Sequence, residues 1–371
     1  MAQSANSPVQ TLSTKIVVSN SSSLLMNSLA EQQAVETLLN KCMPNYRQAY
    51  SDRTAWLMAC ISELAYLKFN PLFKSTSKQY FINQVAKLVD DKNIKSLDIL
   101  IDAVAYDPKE EEQKLRDNSE ILNLTLVKTF DNNGSQAILL ENDQHIFLGF
   151  RGTEPTSIKD LKADAKATTA GCESGGKIHT GFNDAFNDIA IDIQNALNEA
   201  RFHQKPLFIT GHSLGGALAT IATKKLKHSA GIAACYTYGS PRVGDMDWTT
   251  GIKTPIYRVV NAADPVTMLP PSSETISLFA WASGFIPYAG NVIKRTLLSK
   301  FGGYYHIGDM RYLSNCPQAD YSKVNLHYGV SFFFRVKAFL IKKMSFAKVP
   351  GDHSITVYRK KLLVVATKRN A

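Results

Sequence analysis

The chain is short of cysteine, short of acid at its C-terminal end, and has no long unbroken apolar run, and each shortage removes a class of protein. Its five cysteines (Cys42, Cys60, Cys172, Cys235 and Cys316) are odd in number and scattered, with no CxxC or Cys/His ligand spacing. That argues against a disulfide framework and against a structural metal site, and the thiols read as reduced and mostly buried. The opening MAQSANSPVQTLSTKIVVSNSSS lacks a basic segment followed by an apolar run and a small-residue cleavage site. A cytoplasmic location is the resulting default expectation, with leaderless secretion as the other route. The apolar stretch 276–293 is broken by Gly284, Pro287 and Gly290, which makes it a poor membrane span and a better broken interfacial or core helix.

The charge that is present is unevenly placed. Of a net +10, the last 41 residues carry nearly all: Arg335, Lys337, Lys342, Lys343, Lys348, Arg359, Lys360, Lys361, Lys368 and Arg369 stand against one acid, Asp352. No recognised nucleic-acid module accompanies them and apolar residues are interleaved, so nucleic acid is not the expected partner. Peripheral contact with an anionic membrane fits better; the plainer reading is a solvated basic face. If 331–343 is helical, Phe332, Phe333, Val336, Phe339 and Leu340 share a face, with Arg335 and Lys342 opposite. Such a helix suits a membrane interface or ordinary packing against the fold.

With 371 residues, 44% of them hydrophobic, the chain can fill one elaborated α/β core. Residues 1–28, rich in Ser, Asn, Thr and Gln, are expected to be a disordered lead, and 29–371 a single domain. Apolar residues recur at helical spacing over 30–42 and 51–69, with Ser51 and Asp52 as candidate caps, and again near 78–89. The period then becomes that of strands at 122–129, 136–140 and 146–150, with a turn at Asp131-Asn132-Asn133-Gly134. After Gly181 helices (182–200, 214–227) alternate with strands (207–210, 234–238, 256–260). This predicts a mostly parallel sheet flanked by helices. Helical insertions are expected at about 272–303 and 331–344.

The strongest chemical signal is Gly211-His212-Ser213-Leu214-Gly215-Gly216, between the apolar strand Leu207-Phe208-Ile209-Thr210 and the small-residue helix Ala217-Leu218-Ala219. Strand before and helix after make it a nucleophile elbow, and with it an α/β-hydrolase fold. A serine at the apex of so sharp a turn takes strained backbone angles, so its neighbours two before and two after must be glycine. The helix that starts there aims its N–H groups and positive dipole end at a developing oxyanion. His212 diverges from Ser213 on the turn and reads as a packing residue.

A serine hydroxyl needs a base, and the base needs an orienting acid. In this fold the order along the chain is serine, acid, histidine. Asp264 lies in the loop beyond the strand Tyr257-Arg258-Val259-Val260 and is the preferred acid; its plainer reading is a turn-forming Asp-Pro. Asp245 and Asp247 look like helix-start residues. Among the downstream histidines, His353 sits in a loop that opens the terminal helix, where the order rule wants it. His306, within Tyr304-Tyr305-His306-Ile307-Gly308, reads as a hydrogen-bonded structural residue, and His327 has no supporting context. Asp352 is expected to face elsewhere and cap the helix.

These residues resemble the class 3 (fungal-type) lipases, in a bacterial-looking form. The likeness runs from Ile146–Phe150 into Arg151-Gly152-Thr153, then Ile178-His179-Thr180-Gly181-Phe182, the elbow, Tyr238-Gly239-Ser240-Pro241-Arg242-Val243-Gly244, Asn261-Ala262-Ala263-Asp264-Pro265-Val266, and Asp352-His353-Ser354 up to Tyr358. The resemblance implies that Thr153 supplies one oxyanion donor and the backbone N–H of Leu214 the other. It places the family's lid at 156–165, where Leu161 replaces the usual tryptophan and little apolar surface is present, which weakens the case for lid-driven activation. The expected activity is cleavage of ester bonds in acylglycerols or related lipids by Ser213, Asp264 and His353, with no cofactor or metal. A phospholipase A1, a small-ester esterase and a lipid-directed effector are the nearest alternatives. A catalytically silent lipid-binding protein is an alternative of another class. Oligomeric state is not encoded in these motifs.

Overall fold

The computed structural model describes residues 23–41, 49–69, 107–152, 169–171, 175–272, 276, 303–317, 320–331, 333–335 and 349–370. The expected helix at 78–89, the segment 156–165, Thr153, and most of both insertions, with Lys337, Lys342 and Lys343, lie outside them.

Among the described residues three helices lead into the sheet. Helix α1 (Leu29–Leu39) starts where the Ser28 side chain accepts the Glu31 N–H. Helix α2 (Asp52–Leu64) is capped by Ser51 in the same way, through Thr54. Helix α3 (Pro108–Ile121) begins at an Asp107 cap with proline at its first position and Glu110 and Glu111 in its first turn, an arrangement that suits the orphan N–H groups and the dipole. Two residues of the segment expected as a lead, Leu24 and Leu25, pack against the fold. Leu24 N–H donates to Asn118 Oδ1 at 3.0 Å, Leu25 is buried in the core, and the Leu25 carbonyl accepts from Arg359 Nη1 at 2.8 Å.

The main sheet has eight strands in the order β1 (Thr125–Asn132), β2 (Ser135–Glu141), β3 (Ile146–Phe150), β6 (Leu207–His212), β7 (Ile232–Tyr238), β9 (Ile256–Asn261), β11 (Asp309–Leu313), β12 (Leu326–His327). The five strands from β3 to β11 run parallel, and the outer pairs are antiparallel. Together with helices on both faces this is the α/β-hydrolase architecture. Alternation along each strand sorts the side chains. Phe147, Phe208, Tyr236 and Tyr257 face α1, α2 and the last helix. Leu148, Ile209, Cys235 and Ile256 face α4 (Thr180–Leu197) and α5 (Leu214–Lys225). A second, four-stranded sheet joins β4 (Thr169–Gly171), β5 (Lys177–His179), β8 (Gly244–Asp245) and β10 (Tyr304–Tyr305). Asp245 caps the short α6 (Met246–Thr249), as expected of a helix-start residue.

Because β6, β7 and β9 are neighbours in parallel, their C-terminal ends open at one edge, with Ser213, Gly239 and Asp264 just beyond them. The chain returns to this edge through α7 (Val349–His353) and α8 (Ile355–Asn370). Two of the five basic residues of α8, Arg359 and Lys361, turn inward, which the expectation of a solvated basic face did not foresee. Arg359 forms a buried ion pair with Glu63, and Lys361 Nζ donates to Asn261 Oδ1 at 2.6 Å. Lys360 meets Glu31 and Arg369 meets Asp52. Arg335 is also buried, 4% exposed, and donates to Thr267 Oγ1, while Phe333 and Phe334 beside it are 68% and 51% exposed. Phe333 and Arg335 thus differ in exposure, with the cation on the buried side. Three of the cysteines are described, with Cys60 and Cys235 buried and Cys316 partly so, all free thiols. Among the described residues no helix is long and apolar enough to cross a membrane.

Removing one partner of a buried ion pair strands the other charge, at a cost of about 3–5 kcal/mol. Glu63→Ala should therefore lower the unfolding free energy in urea by that order. Glu63→Leu combined with Arg359→Met should cost distinctly less; equal losses would show that the pair's charge is not the cause.

Candidate active site

The elbow is built by exclusion. A Cβ on Gly211 would lie 2.1 Å from the Gly215 carbonyl oxygen, and one on Gly215 would lie 2.3 Å from that of Phe150. Gly216 abuts Ser240, where a Cβ would approach to 2.7 Å. With β3, β6 and α5 so close, Ser213 must take φ 57°, ψ −127°, a region costing of order 1–3 kcal/mol for a residue with a side chain. Its own N–H is held by the Tyr238 carbonyl at 2.9 Å. Leu214 opens α5 directly after it, so its amide is the first of the helix N–H groups without an intrahelical acceptor.

His353 Nε2 lies 2.8 Å from Ser213 Oγ, and His353 Nδ1 lies 2.9 and 3.0 Å from the two carboxylate oxygens of Asp264. All three side chains are buried. A carboxylate only accepts, so Nδ1 carries the proton and Nε2 offers a lone pair to the serine hydroxyl. Asp264 is held on every side: Val266 N–H donates to Oδ1 at 3.0 Å and Tyr358 O–H donates to Oδ2 at 2.6 Å. Tyr358 in turn accepts the Asn261 N–H at 3.0 Å. Gly239, at φ 57°, makes room for the pair, since a Cβ there would lie 2.7 Å from Asp264 Oδ2 and 3.0 Å from the His353 ring. Asp352 leans on the same loop, its Oδ2 accepting the Ala263 N–H at 3.2 Å.

Tyr358, Gly239 and Asn261 stood inside quoted motifs but carried no assigned role. His212 departs from its reading as a packing residue. Buried behind the elbow, it places Nε2 2.6 Å from the His353 carbonyl oxygen and Nδ1 2.7 Å from the Tyr66 hydroxyl. Burial first, and His353 second, hold its pKa well below the usual histidine value. His306 lies behind the acid loop with Nε2 donating to the Thr267 carbonyl at 2.7 Å. Burial depresses its pKa too, with the Arg258, Arg242 and Arg335 charges adding to the effect. His327 is exposed on the edge strand β12. Among the described residues no cluster of three or more His, Cys, Asp or Glu is arranged to hold a metal.

Fold and site together define an α/β-hydrolase with a serine at its nucleophile elbow. Residues 147–274 match the family model "Lipase (class 3)". The secreted mono- and diacylglycerol lipase 1 of Fusarium solani is 41% identical over 104 residues, covering 26% of this chain and 31% of that protein. A lipase of Rhizomucor miehei is 33% identical over 148 residues, covering 36% and 39%. The chain thus spans less than two-fifths of the length of either relative. Lipase II from Rhizopus niveus superposes with a TM-score of 0.46 at 18% identity, covering 82% of this chain and 94% of that one. These relatives are fungal and lend no support to a bacterial type. The expectation of a cytoplasmic location is corrected as well, because the Fusarium relative is named a secreted enzyme.

The two depressed histidines tie stability to pH. Their folded pKa lies below the unfolded value of about 6.5, so the unfolded chain binds more protons as pH falls below that point. Stability should decline from about pH 6.5 downward, until the folded values are reached, by up to about 1.4 kcal/mol per pH unit for each group. Urea midpoints between pH 7.5 and 4.5 test this: His306→Asn should flatten the acid slope relative to the parent, and an unchanged slope would remove His306 from the account.

Proposed function

We propose that the protein hydrolyses carboxylic ester bonds of acylglycerols or related lipids, with Ser213 as nucleophile, His353 as base and Asp264 as orienting acid. The observation that carries the reading is the unbroken buried path from Ser213 Oγ through His353 to an Asp264 carboxylate that itself holds two further donors. Ser213 Oγ attacks the ester carbonyl as its proton passes to His353 Nε2. Asp264 stabilises the imidazolium, which then protonates the leaving alcohol. The tetrahedral oxyanion is held by the Leu214 amide at the positive end of α5 and, by family likeness, by Thr153. Water, deprotonated by His353, then cleaves the acyl-enzyme. None of these steps uses a metal or cofactor.

The match to class 3 lipases and the names of the relatives favour acylglycerols over phospholipids. A place of work outside the cytoplasm follows the secreted relative. Peripheral contact with a lipid surface rests in this reading on the exposed aromatics Phe333, Phe334 and Tyr328 more than on the charges of α8, of which Arg359, Lys361 and Arg369 have partners within the fold.

The test is a panel of triacylglycerols, phospholipids and p-nitrophenyl esters of graded length, with EDTA present. Acylglycerol turnover should survive chelation. Ser213→Ala or His353→Ala should lower kcat on the order of 10⁶-fold, and Asp264→Ala by about 10⁴-fold. Ser213→Ala should also abolish fluorophosphonate labelling while leaving the fold intact. Phospholipid turnover alone would favour the phospholipase A1 reading, and lipid binding without any turnover the silent binder. Phe333→Ser with Phe334→Ser should slow hydrolysis of emulsified lipid and spare a soluble short-chain ester.

A further inference from the structure

We propose that His212 is a positioning residue for His353, its tautomer set by the His353 carbonyl and its ring steadied from the other side by the Tyr66 hydroxyl. The kinetic part of this proposal rests on the ester-hydrolase reading above.

The direction of each bond follows from what the atoms can offer. The His353 carbonyl oxygen has lone pairs and no proton, so the ring nitrogen 2.6 Å away, His212 Nε2, must be the donor. A neutral imidazole carries one ring proton; with that proton on Nε2, Nδ1 is left bare. The Tyr66 hydroxyl, 2.7 Å from Nδ1, must then donate. The depressed pKa of the buried ring agrees with a single proton. The path therefore reads Tyr66 O–H to His212 Nδ1, then His212 Nε2–H to the His353 carbonyl.

The arrangement answers a specific mechanical need. Helix α7 is five residues long and ends at His353, so the His353 carbonyl is among the last of a helix and has no acceptor role inside it. Residues 213 and 353 come from distant parts of the chain, and the bond between them must be near 2.8 Å for proton transfer. His212 is adjacent in sequence to Ser213. Its ring bond thus ties the backbone that carries the nucleophile to the backbone that carries the base, from behind the reacting atoms. Space is reserved for the path: a Cβ on Gly152 would lie 2.3 Å from the Tyr66 hydroxyl and 2.4 Å from the His212 carbonyl oxygen.

Misplacing a base by about 1 Å can cost about 100-fold in rate. His212→Phe, which keeps a planar ring and loses the donor, should therefore reduce kcat by about 10- to 100-fold with KM nearly unchanged. It should also displace the acid limb of the kcat/KM pH profile, which reports on His353. His212→Gln places an amide donor at similar reach and should restore most of kcat and the parent profile. Tyr66→Phe removes the donor to Nδ1 and should give a smaller loss of kcat. In the folded wild type, ¹⁵N shifts of labelled histidines should show His212 protonated at Nε2 and bare at Nδ1, a readout that stands whether or not the ester-hydrolase reading does. Protonation at Nδ1 would overturn the proposal, as would a His212→Phe enzyme with the parent kcat and pH profile. Should His212→Phe fail to fold, Tyr66→Phe and His212→Gln carry the test, and a Tyr66→Phe protein with the parent kcat together with a His212→Gln protein that has lost activity overturns it.

Discussion

Everything at the site depends on a lack of room around Ser213. Strand β6 turns into helix α5 so tightly that the Gly211, Gly215 and Phe150 backbones touch, and the serine is left in a conformation no unconstrained residue would hold. The strain persists because central parallel strands and two helices determine the positions on either side of it. The same turn sets the serine oxygen at the open edge of the sheet and brings the first amides of α5 beneath it. Nucleophile position and oxyanion environment are thus a single geometric consequence.

The other two groups lack so rigid a mount and are braced by hydrogen bonds instead. Asp264 follows Ala262, which turns the loop at φ 41°, and is held by Val266, Tyr358 and His353. Asn261, at the end of β9, is bound through its side chain to the Asp352 carbonyl at 2.8 Å and to Lys361 at 2.6 Å. The loop with Asp264 and the turn with His353 are therefore fastened to each other, the pre-organisation that the proposed acid–base roles would need. The cations near the acid do structural work: Arg242 Nη1 donates to the Met268 and Pro270 carbonyls at 2.6 and 2.7 Å, and Arg335 to Thr267.

Much of this was legible in the sequence because the elbow and the buried strands are local signals. Glycines at fixed offsets and apolar runs of strand length carry their meaning in a few consecutive residues. Helix α3 has a single buried apolar side chain, Leu115, among acids and lysines, so hydrophobic period missed it, although the cap at Asp107-Pro108 was readable. Strand β11 begins Asp309-Met310-Arg311 and lies toward the sheet's edge, with little alternation to detect. Counting charge could not tell inside from outside: Arg335, Arg359 and Lys361 found acceptors from segments far away in sequence. The hydrogen bonds of His212 were not foreseen for the same reason. The adjacent residue is visible in a string, whereas Tyr66 and the His353 carbonyl are supplied by the fold.

The clasp between the two ends of the described chain bears on how the molecule is made. Arg359 reaches the Leu25 carbonyl and Glu63, and α8 lies across α1 and α2. Helices synthesised early must therefore wait for one synthesised late before their apolar faces are covered. Such closure has high contact order, and loop entropy must be met before these distant contacts form. During translation the segment of the elbow leaves the ribosome well before His353 and Tyr358, so a nascent chain would carry Ser213 without the histidine that faces it. Under the proposed ester-hydrolase reading, competence would arrive with the closing helix, late in vectorial synthesis, and the site would stay silent until the body around it is complete.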